Sequence, residues 1–183
     1  PDHMEVEIGG DTINGIQHKY RETVLFFPSQ GQTCHSYCTF CFRWAQFVGD
    51  KELRIATNEA AHLHAYLEAH REVTDLLVTG GDPMVMKTRH LASYLEPLLE
   101  PRFSHVQTIR IGTKAVTFWP HRFVTDEDAD ELIDLLARLA DAGKHVAIMA
   151  HYNHWQELST GQDSEAIRHL RDTGSEIRAQ GPL

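Results

Sequence analysis

Three scarcities narrow the class of protein before any motif is considered. No apolar run approaches the ~18 residues of a membrane-spanning helix, and the longest, at residues 146–150, has the length of a strand. Basic residues are in deficit, with 17 Lys and Arg against 26 Asp and Glu and a net charge of −9. We therefore expect no general affinity for nucleic acid or for a membrane surface. The 183 residues, 42% of them hydrophobic, match one globular domain rather than a disordered segment.

Cysteine is also scarce, and its placement is informative. The three cysteines all lie between Cys34 and Cys41. An odd, tightly clustered set is a poor disulfide framework, so it predicts a reducing, cytoplasmic compartment and a metal or redox role. The thirteen histidines are scattered and are interpreted mostly as surface and loop residues. Residues 1–4 resemble the remnant of an expression tag and are left out of the fold argument.

Strand and helix patterns alternate along the rest of the chain. Apolar β-type runs end at Pro28, at Gly80 and at Gly112, and two more follow near the C-terminus. We predict strands at residues 23–27, 75–79, 107–111, 145–150 and 176–179. We predict helices at residues 58–70, 91–99, 125–142 and 164–172. Thr125 is the expected cap of the third helix, with residues 126–128 supplying acidic side chains to its first turn.

Alternation with short connections indicates parallel strands joined by helical crossovers, an α/β fold in which a doubly wound sheet and a barrel both remain open. Residues 1–22 are expected to form an irregular lead-in, and residues 23–183 the α/β core. The chain ends just after a predicted strand without a helix to cover it, which suggests the N-terminal part of a longer protein. An uncovered edge strand also predicts self-association into a homo-oligomer.

The most specific motif is the cysteine run. Cys34, Cys38 and Cys41 have C-x3-C-x2-C spacing, directly after the first predicted strand of the core, where active sites of parallel α/β folds lie. Three thiolates can bind three corners of a [4Fe–4S] cluster and leave the fourth iron open. That iron could chelate the amine and carboxylate of S-adenosylmethionine (SAM). One alternative is a structural zinc site formed by the three cysteines with His35 or a distant histidine. The other is that the cysteines are buried or redox-active thiols that bind no metal.

These residues resemble the radical SAM superfamily. The three cysteines match its signature, and the aromatic Phe40 stands where the superfamily packs a ring beside adenine. The turn at residues 79–83 is similar to the glycine-rich turn that holds the methionine amino group. The resemblance implies that Thr79, Gly80, Gly81 and Asp82 bind SAM.

Further segments narrow the resemblance. Residues 110–114 with 119–122, and residues 151–154 with Glu157, are similar to the lysine 2,3-aminomutase family. That family implies a partial (β/α)6 TIM-like barrel, here truncated after about the fifth strand. It also implies an isomerase in which the 5′-deoxyadenosyl radical from SAM drives a pyridoxal phosphate (PLP)-dependent 1,2-amino migration. Its substrate would be a small amino acid, and its reductant a flavodoxin or ferredoxin.

Several residue roles follow from this resemblance alone. Arg43 stands where the family pairs an arginine with the substrate carboxylate. Lys19 and Lys114 occupy basic positions near the PLP phosphate, although Thr23 replaces a second family arginine. The fourth predicted core strand ends in polar residues that would face the cofactors, namely His151, Asn153 and His154. The PLP-binding lysine of the family lies beyond this chain, so no catalytic residue is assigned.

Two other functions remain open at this point. The chain could be a radical SAM enzyme of different chemistry that does not use PLP. It could also be a non-catalytic module that zinc or a cluster stabilises.

Overall fold

The computed structural model describes residues 6–8, 11–35, 38, 40, 41, 43, 44 and 60–180. Two short strands, β1 (Val6–Ile8) and β2 (Asp11–Ile13), form an antiparallel pair. The main sheet has six strands whose order follows the chain, β3 to β8. They are β3 (Ile16–Tyr20), β4 (Thr23–Phe26), β5 (Asp75–Val78), β6 (Thr108–Thr113), β7 (His145–Ala150) and β8 (Glu176–Ala179). Strands β4 to β8 are parallel, and β3 pairs antiparallel with β4.

Helices connect the parallel strands. They are α1 (Ala60–Ala69), α2 (Thr88–Leu95), the single turn α3 (Ala115–Phe118), α4 (Ala129–Asp141) and α5 (Gly161–Asp172). The five parallel strands predicted from the sequence are confirmed to within two residues at each end, and so is the α/β class. The (β/α)6 barrel stays a prediction.

The strands alternate between a buried face and a half-exposed face. In β4, Val24 and Phe26 are fully buried, whereas Thr23 and Leu25 are only half-buried. The same alternation runs through β5 and β6. The buried face packs against apolar helix stripes, such as the one on α4 formed by Leu132, Leu135, Leu136 and Leu139. The other face and the carboxyl ends of the strands are therefore left to form a site.

Two expectations were wrong. Residues 1–22 are not wholly irregular, because β1 to β3 lie within them. The alternation in β1 covers only three residues, and β3 has three consecutive polar residues between Ile16 and Tyr20, so neither gives the longer alternation by which a strand is recognised. Thr125 does not cap α4, which begins at Ala129 with Asp128 at the cap position. The Thr125 hydroxyl lies 2.8 Å from His121 Nδ1 instead.

Other helix ends differ less. The second predicted helix is divided into α2 and a 3-10 turn at Glu96–Leu99, where Pro97 interrupts the α-helical hydrogen bonds. Helix α5 begins three residues earlier than predicted, at a reciprocal capping box between Thr160 and Asp163. The predicted cap at Asn58 lies outside the described residues. No helix within the described ranges is long and apolar enough to span a membrane.

Candidate active site at the carboxyl ends of the strands

The cysteine loop begins directly beyond β4. A 3-10 turn at Ser29–Gly31 redirects the chain, and Cys34, Cys38 and Cys41 follow as half-buried thiols without a disulfide. The Cys41 N–H donates to the Cys38 carbonyl oxygen at 2.9 Å. The loop is thus held locally at its second and third cysteines, and all three line the same cavity.

The glycine-rich turn after β5 packs against this loop. The Asp82 N–H lies 3.0 Å from the Gly31 oxygen and 2.8 Å from the Thr33 oxygen. A Cβ on Gly81 would contact the Thr33 carbonyl oxygen and lie 2.6 Å from its carbon. Glycine is therefore required here because the cysteine-loop backbone approaches the turn. At Gly81, it is the protein backbone rather than a ligand that requires the absence of a side chain.

Asp82 connects the same turn to the end of β6. Its carboxylate accepts hydrogen bonds from Thr113 Oγ1 at 2.7 Å, Lys114 N at 2.8 Å and Met84 N at 3.0 Å. Burial raises the pKa of the Asp82 carboxyl, while these three donors act in the opposite direction. Asp82 was expected to bind SAM directly. The structure places its carboxylate in bonds that fix the turn, and Asp82 does not line the cavity.

A cavity of about 380 Å³ lies where these elements meet. Its wall combines the cysteines, the glycine turn, and side chains from the half-exposed face and carboxyl ends of the sheet. The lining residues are Leu25, Cys34, Cys38, Phe40, Cys41, Arg43, Leu77, Thr79, Gly80, Gly81, Gly112, Thr113, Lys114, His151 and Gln180. Most of the site residues predicted from the sequence are therefore brought together. Leu25 and Leu77 were not among the predicted site residues. The two-residue period of a strand nevertheless places them on the face of the sheet opposite to that of the buried Val24 and Leu76.

Arg43 brings positive charge to this cavity. Its guanidinium lies 4.0 Å from the centre of the Phe27 ring. Burial lowers the pKa of Arg43 to about 10, and the neighbouring Cys41 opposes this shift. At neutral pH the side chain remains protonated, so it could bind an anionic group such as a carboxylate.

His151 carries a polar atom without a partner. Its ring stacks on Phe40 with centroids 5.2 Å apart, and its buried Nε2 has no hydrogen-bond partner among the residues that the structure describes. Burial and the charge of Lys114 lower the pKa of His151, so the imidazole is neutral at neutral pH. Since buried polar atoms are normally paired, the bare Nε2 of a cavity-lining side chain indicates a polar ligand.

Comparison with known proteins agrees with this geometry. No protein-family model matches the chain. A putative L-lysine 2,3-aminomutase of Aquifex aeolicus is 33% identical over 171 residues, which cover 93% of this chain and 43% of that protein. The L-lysine 2,3-aminomutase of Haemophilus influenzae is 30% identical over 83% of this chain and 41% of its own length. That of Methanococcus maripaludis is 29% identical over 93% of this chain and 36% of its own.

The chain belongs to the lysine 2,3-aminomutase family. It spans less than half the length of these curated relatives. The described part of the chain can therefore be compared with two features expected for the family, a cluster site and a phosphate site.

The cysteines fit a cluster. Among the residues that the structure describes, no group of three or more His, Cys, Asp or Glu side chains is arranged to hold a metal ion. A cubane makes a different demand, because each cysteine binds a different iron. Three thiols outside any disulfide on one cavity wall, beside a protonated arginine and an imidazole nitrogen without a partner among the described residues, suit a [4Fe–4S] cluster with SAM on its open iron.

The two lysines expected to hold the PLP phosphate do not form such a site. Lys19 is exposed on β3, with its ammonium 5.9 Å from the centre of the Tyr20 ring, and it does not line the cavity. Lys114 lines the cavity, but its Nζ is 3.0 Å from Glu157 Oε2 and 3.2 Å from the His151 oxygen. Its charge is already paired within the chain, so neither lysine provides a PLP phosphate site at this cavity.

The remaining predicted residues, Asn153 and His154, are not among the residues that line the cavity. His154 is exposed, and its Nδ1 accepts a hydrogen bond from Gln156 N at 3.2 Å. The Asn153 side-chain amide donates to Cys38 Sγ at 3.9 Å. Glu157 appeared in the sequence motif without a role, and only the structure shows that it is the partner of Lys114.

Proposed function

We propose that this chain carries the radical-generating part of an amino acid 2,3-aminomutase, an isomerase that moves an amino group between adjacent carbons. Cys34, Cys38 and Cys41 would hold a [4Fe–4S] cluster, and the adjoining cavity would hold SAM. The observation that supports this most strongly is the meeting of the three cysteine thiols, the Gly80–Gly81 turn and the buried His151 Nε2 at one cavity.

The chain's own residues would position the reactants. The cluster and SAM, when bound, would supply one-electron chemistry that generates a radical for hydrogen abstraction. Phe40, stacked on His151, offers a flat surface for adenine. His151 Nε2 would hydrogen-bond SAM, and the backbone of the Gly80–Gly81 turn lines the same wall. Leu25 and Leu77 form an apolar part of the wall, which limits access of water to a radical.

The substrate class follows from Arg43 and from the relatives. A protonated guanidinium at the cavity suits the carboxylate of an α-amino acid. Relatives named L-lysine 2,3-aminomutase suggest lysine as the first substrate to assay. The electron would come from a small flavodoxin- or ferredoxin-type protein.

Anaerobic reconstitution with iron and sulfide tests the cluster. The dithionite-reduced chain should give a four-iron electron paramagnetic resonance (EPR) signal whose shape changes when SAM is added. Replacing Cys38 with Ala should abolish that signal. One zinc per chain without acid-labile sulfide would contradict the proposal and favour the non-catalytic module.

Substrate binding has a matched pair of variants. In Arg43→Gln, the lysine concentration needed to change the SAM-bound EPR signal should rise at least tenfold. Arg168→Gln, on the exposed face of α5, should leave it unchanged. Equal responses from the two variants would remove Arg43 from the substrate site.

A second candidate is radical SAM chemistry without PLP. It is supported by the exposed position of Lys19 and by the pairing of Lys114 with Glu157. Incubation with PLP, gel filtration and alkaline release would distinguish the two candidates on the holoprotein. Stoichiometric retention of PLP would exclude the second candidate. A cluster and a SAM response without PLP are expected of both candidates, because the PLP-binding lysine of the family lies beyond this chain.

A further inference from the structure

The loop that follows β7 reaches across the cavity mouth to the cysteine loop. The Asn153 side-chain amide nitrogen lies 3.9 Å from Cys38 Sγ and donates toward it. These residues are 115 positions apart in the chain. The contact therefore depends on the interactions that hold the loop after β7 in place. Asn153 itself is exposed to solvent.

Glu157 fixes that loop. Its Oε2 accepts the backbone N–H of Asn153 at 3.1 Å and the Lys114 ammonium at 3.0 Å. Lys114 also donates to the His151 oxygen at 3.2 Å. One carboxylate oxygen thus joins the end of β6 to the residue that contacts Cys38.

The burial of Lys114 makes this arrangement hard to replace. Its side chain is only 6% exposed, and that of Glu157 is 21% exposed. Removing one partner of such a pair leaves a charge with little access to water, which is strongly unfavourable. Among the described residues, Glu157 supplies the carboxylate that pairs with the Lys114 ammonium.

We infer that Glu157 is a positioning residue that holds the Asn153 amide on Cys38 and thereby raises the reduction potential of the cluster. The inference rests on the proposed function, because it requires a cluster at Cys38. An N–H donor to a ligating sulfur stabilises the negative charge that reduction adds, and hydrogen bonds to sulfur are known determinants of cluster potentials. Loss of the donor should make the cluster harder to reduce.

Changing Glu157 also leaves the Lys114 charge uncompensated, which would shift the potential in the positive direction. The test therefore compares two variants that carry the same charge change. Glu157→Gln keeps an acceptor oxygen for the Asn153 N–H, whereas Glu157→Ala does not. Each is made alone and together with Asn153→Ala, and the midpoint potential of the reconstituted cluster is measured by EPR-monitored titration. Glu165→Gln and Glu165→Ala, at an exposed pair on α5, are the controls.

We expect Asn153→Ala to lower the midpoint potential and Glu157→Ala to lie below Glu157→Gln. In the Asn153→Ala background the two Glu157 variants should coincide, because Glu157 then has no amide to position. The inference is overturned if the two Glu157 variants coincide while Asn153 is present, or if Asn153→Ala does not shift the potential. Failure of the unmodified chain to form any cluster overturns the proposed function as well. Circular dichroism of each variant verifies that differences do not come from unfolding.

Discussion

Replacing Gly81 with Ala is the most direct test of how the site is assembled. The added Cβ would lie 2.6 Å from the Thr33 carbonyl carbon and 2.9 Å from the Gln32 carbonyl carbon. Both are backbone atoms, so no flexible side chain can move away. The segment that leads into Cys34 would have to shift outward from the turn.

The cost follows from the contacts that the shift disturbs. The Asp82 N–H would lose its 2.8 Å bond to the Thr33 oxygen, which costs about 1 kcal/mol. Overpacking against a fixed backbone costs roughly 1–3 kcal/mol more. A destabilisation of about 2–4 kcal/mol corresponds to roughly 5–15 °C in Tm for a chain of this size. Because domains are typically stable by about 5–15 kcal/mol, the variant should still fold.

Two other glycines separate this effect from the general cost of adding a methyl group. A Cβ would meet nothing within 4 Å at Gly143 or Gly161. Gly143 has φ +84°, so Gly143→Ala should cost about 1–2 kcal/mol through backbone strain alone. Gly161 opens α5, and Gly161→Ala should be neutral or slightly stabilising.

Thermal unfolding by circular dichroism and acid-labile sulfide per chain after reconstitution are the two assays. Gly81→Ala should have the lowest Tm and the lowest sulfide content, while both control variants keep their sulfide. The reasoning is refuted if Gly81→Ala has the same Tm as Gly161→Ala, or if its Tm is lower but its acid-labile sulfide content is unchanged.

Three further predictions concern stability. Arg122 is buried and donates to Asp128 and to three other acceptors, so Arg122→Lys should lower the free energy of unfolding, measured by urea denaturation, by about 2 kcal/mol or more. The exposed Arg138→Lys should change it by under about 0.5 kcal/mol, and equal effects would contradict the assignment. Burial lowers the pKa of His105 from its usual 6.5, so its stabilising effect is complete above pH 6.5 and is lost as the pH falls below that value. His105→Gln should therefore flatten the decline in urea midpoint between pH 7.5 and 5.5, and an unchanged slope would argue against it. Thr160→Ala removes the α5 capping box and should cost about 1 kcal/mol, which a Tm equal to that of the unmodified chain would disprove.

The parallel strands β4 to β7 were predictable because each contains a short apolar run closed by a turn. β7 and β8 were placed without error, since their sequences are bounded by glycine, polar or charged residues on both sides. β3 was missed because Ile16–Tyr20 contains Gln17, His18 and Lys19. It forms through pairing with β4 rather than through an apolar face of its own.

Helix α4 shows why helix starts were harder to predict. Thr125 and three acidic residues are a good local signal for a helix start. The structure uses Asp128 differently, as the carboxylate that receives Arg122 at 3.0 Å and the Thr88 N–H at 2.6 Å. Bonds to residues 6 and 40 positions away therefore override the local preference. No window of sequence around Thr125 contains that information.

Lys114 illustrates the same limit within the site. A basic residue after a strand of this family was interpreted as a phosphate ligand, and its position at the cavity is as expected. Whether its charge is available depends on Glu157, 43 residues later, at the end of a loop whose path the sequence does not reveal. Pairing with Glu157 turns Lys114 from a ligand for an incoming anion into an anchor for the chain. Motifs can therefore identify which residues reach a site, but a role that depends on net charge follows only from the partner that each residue has in the folded chain.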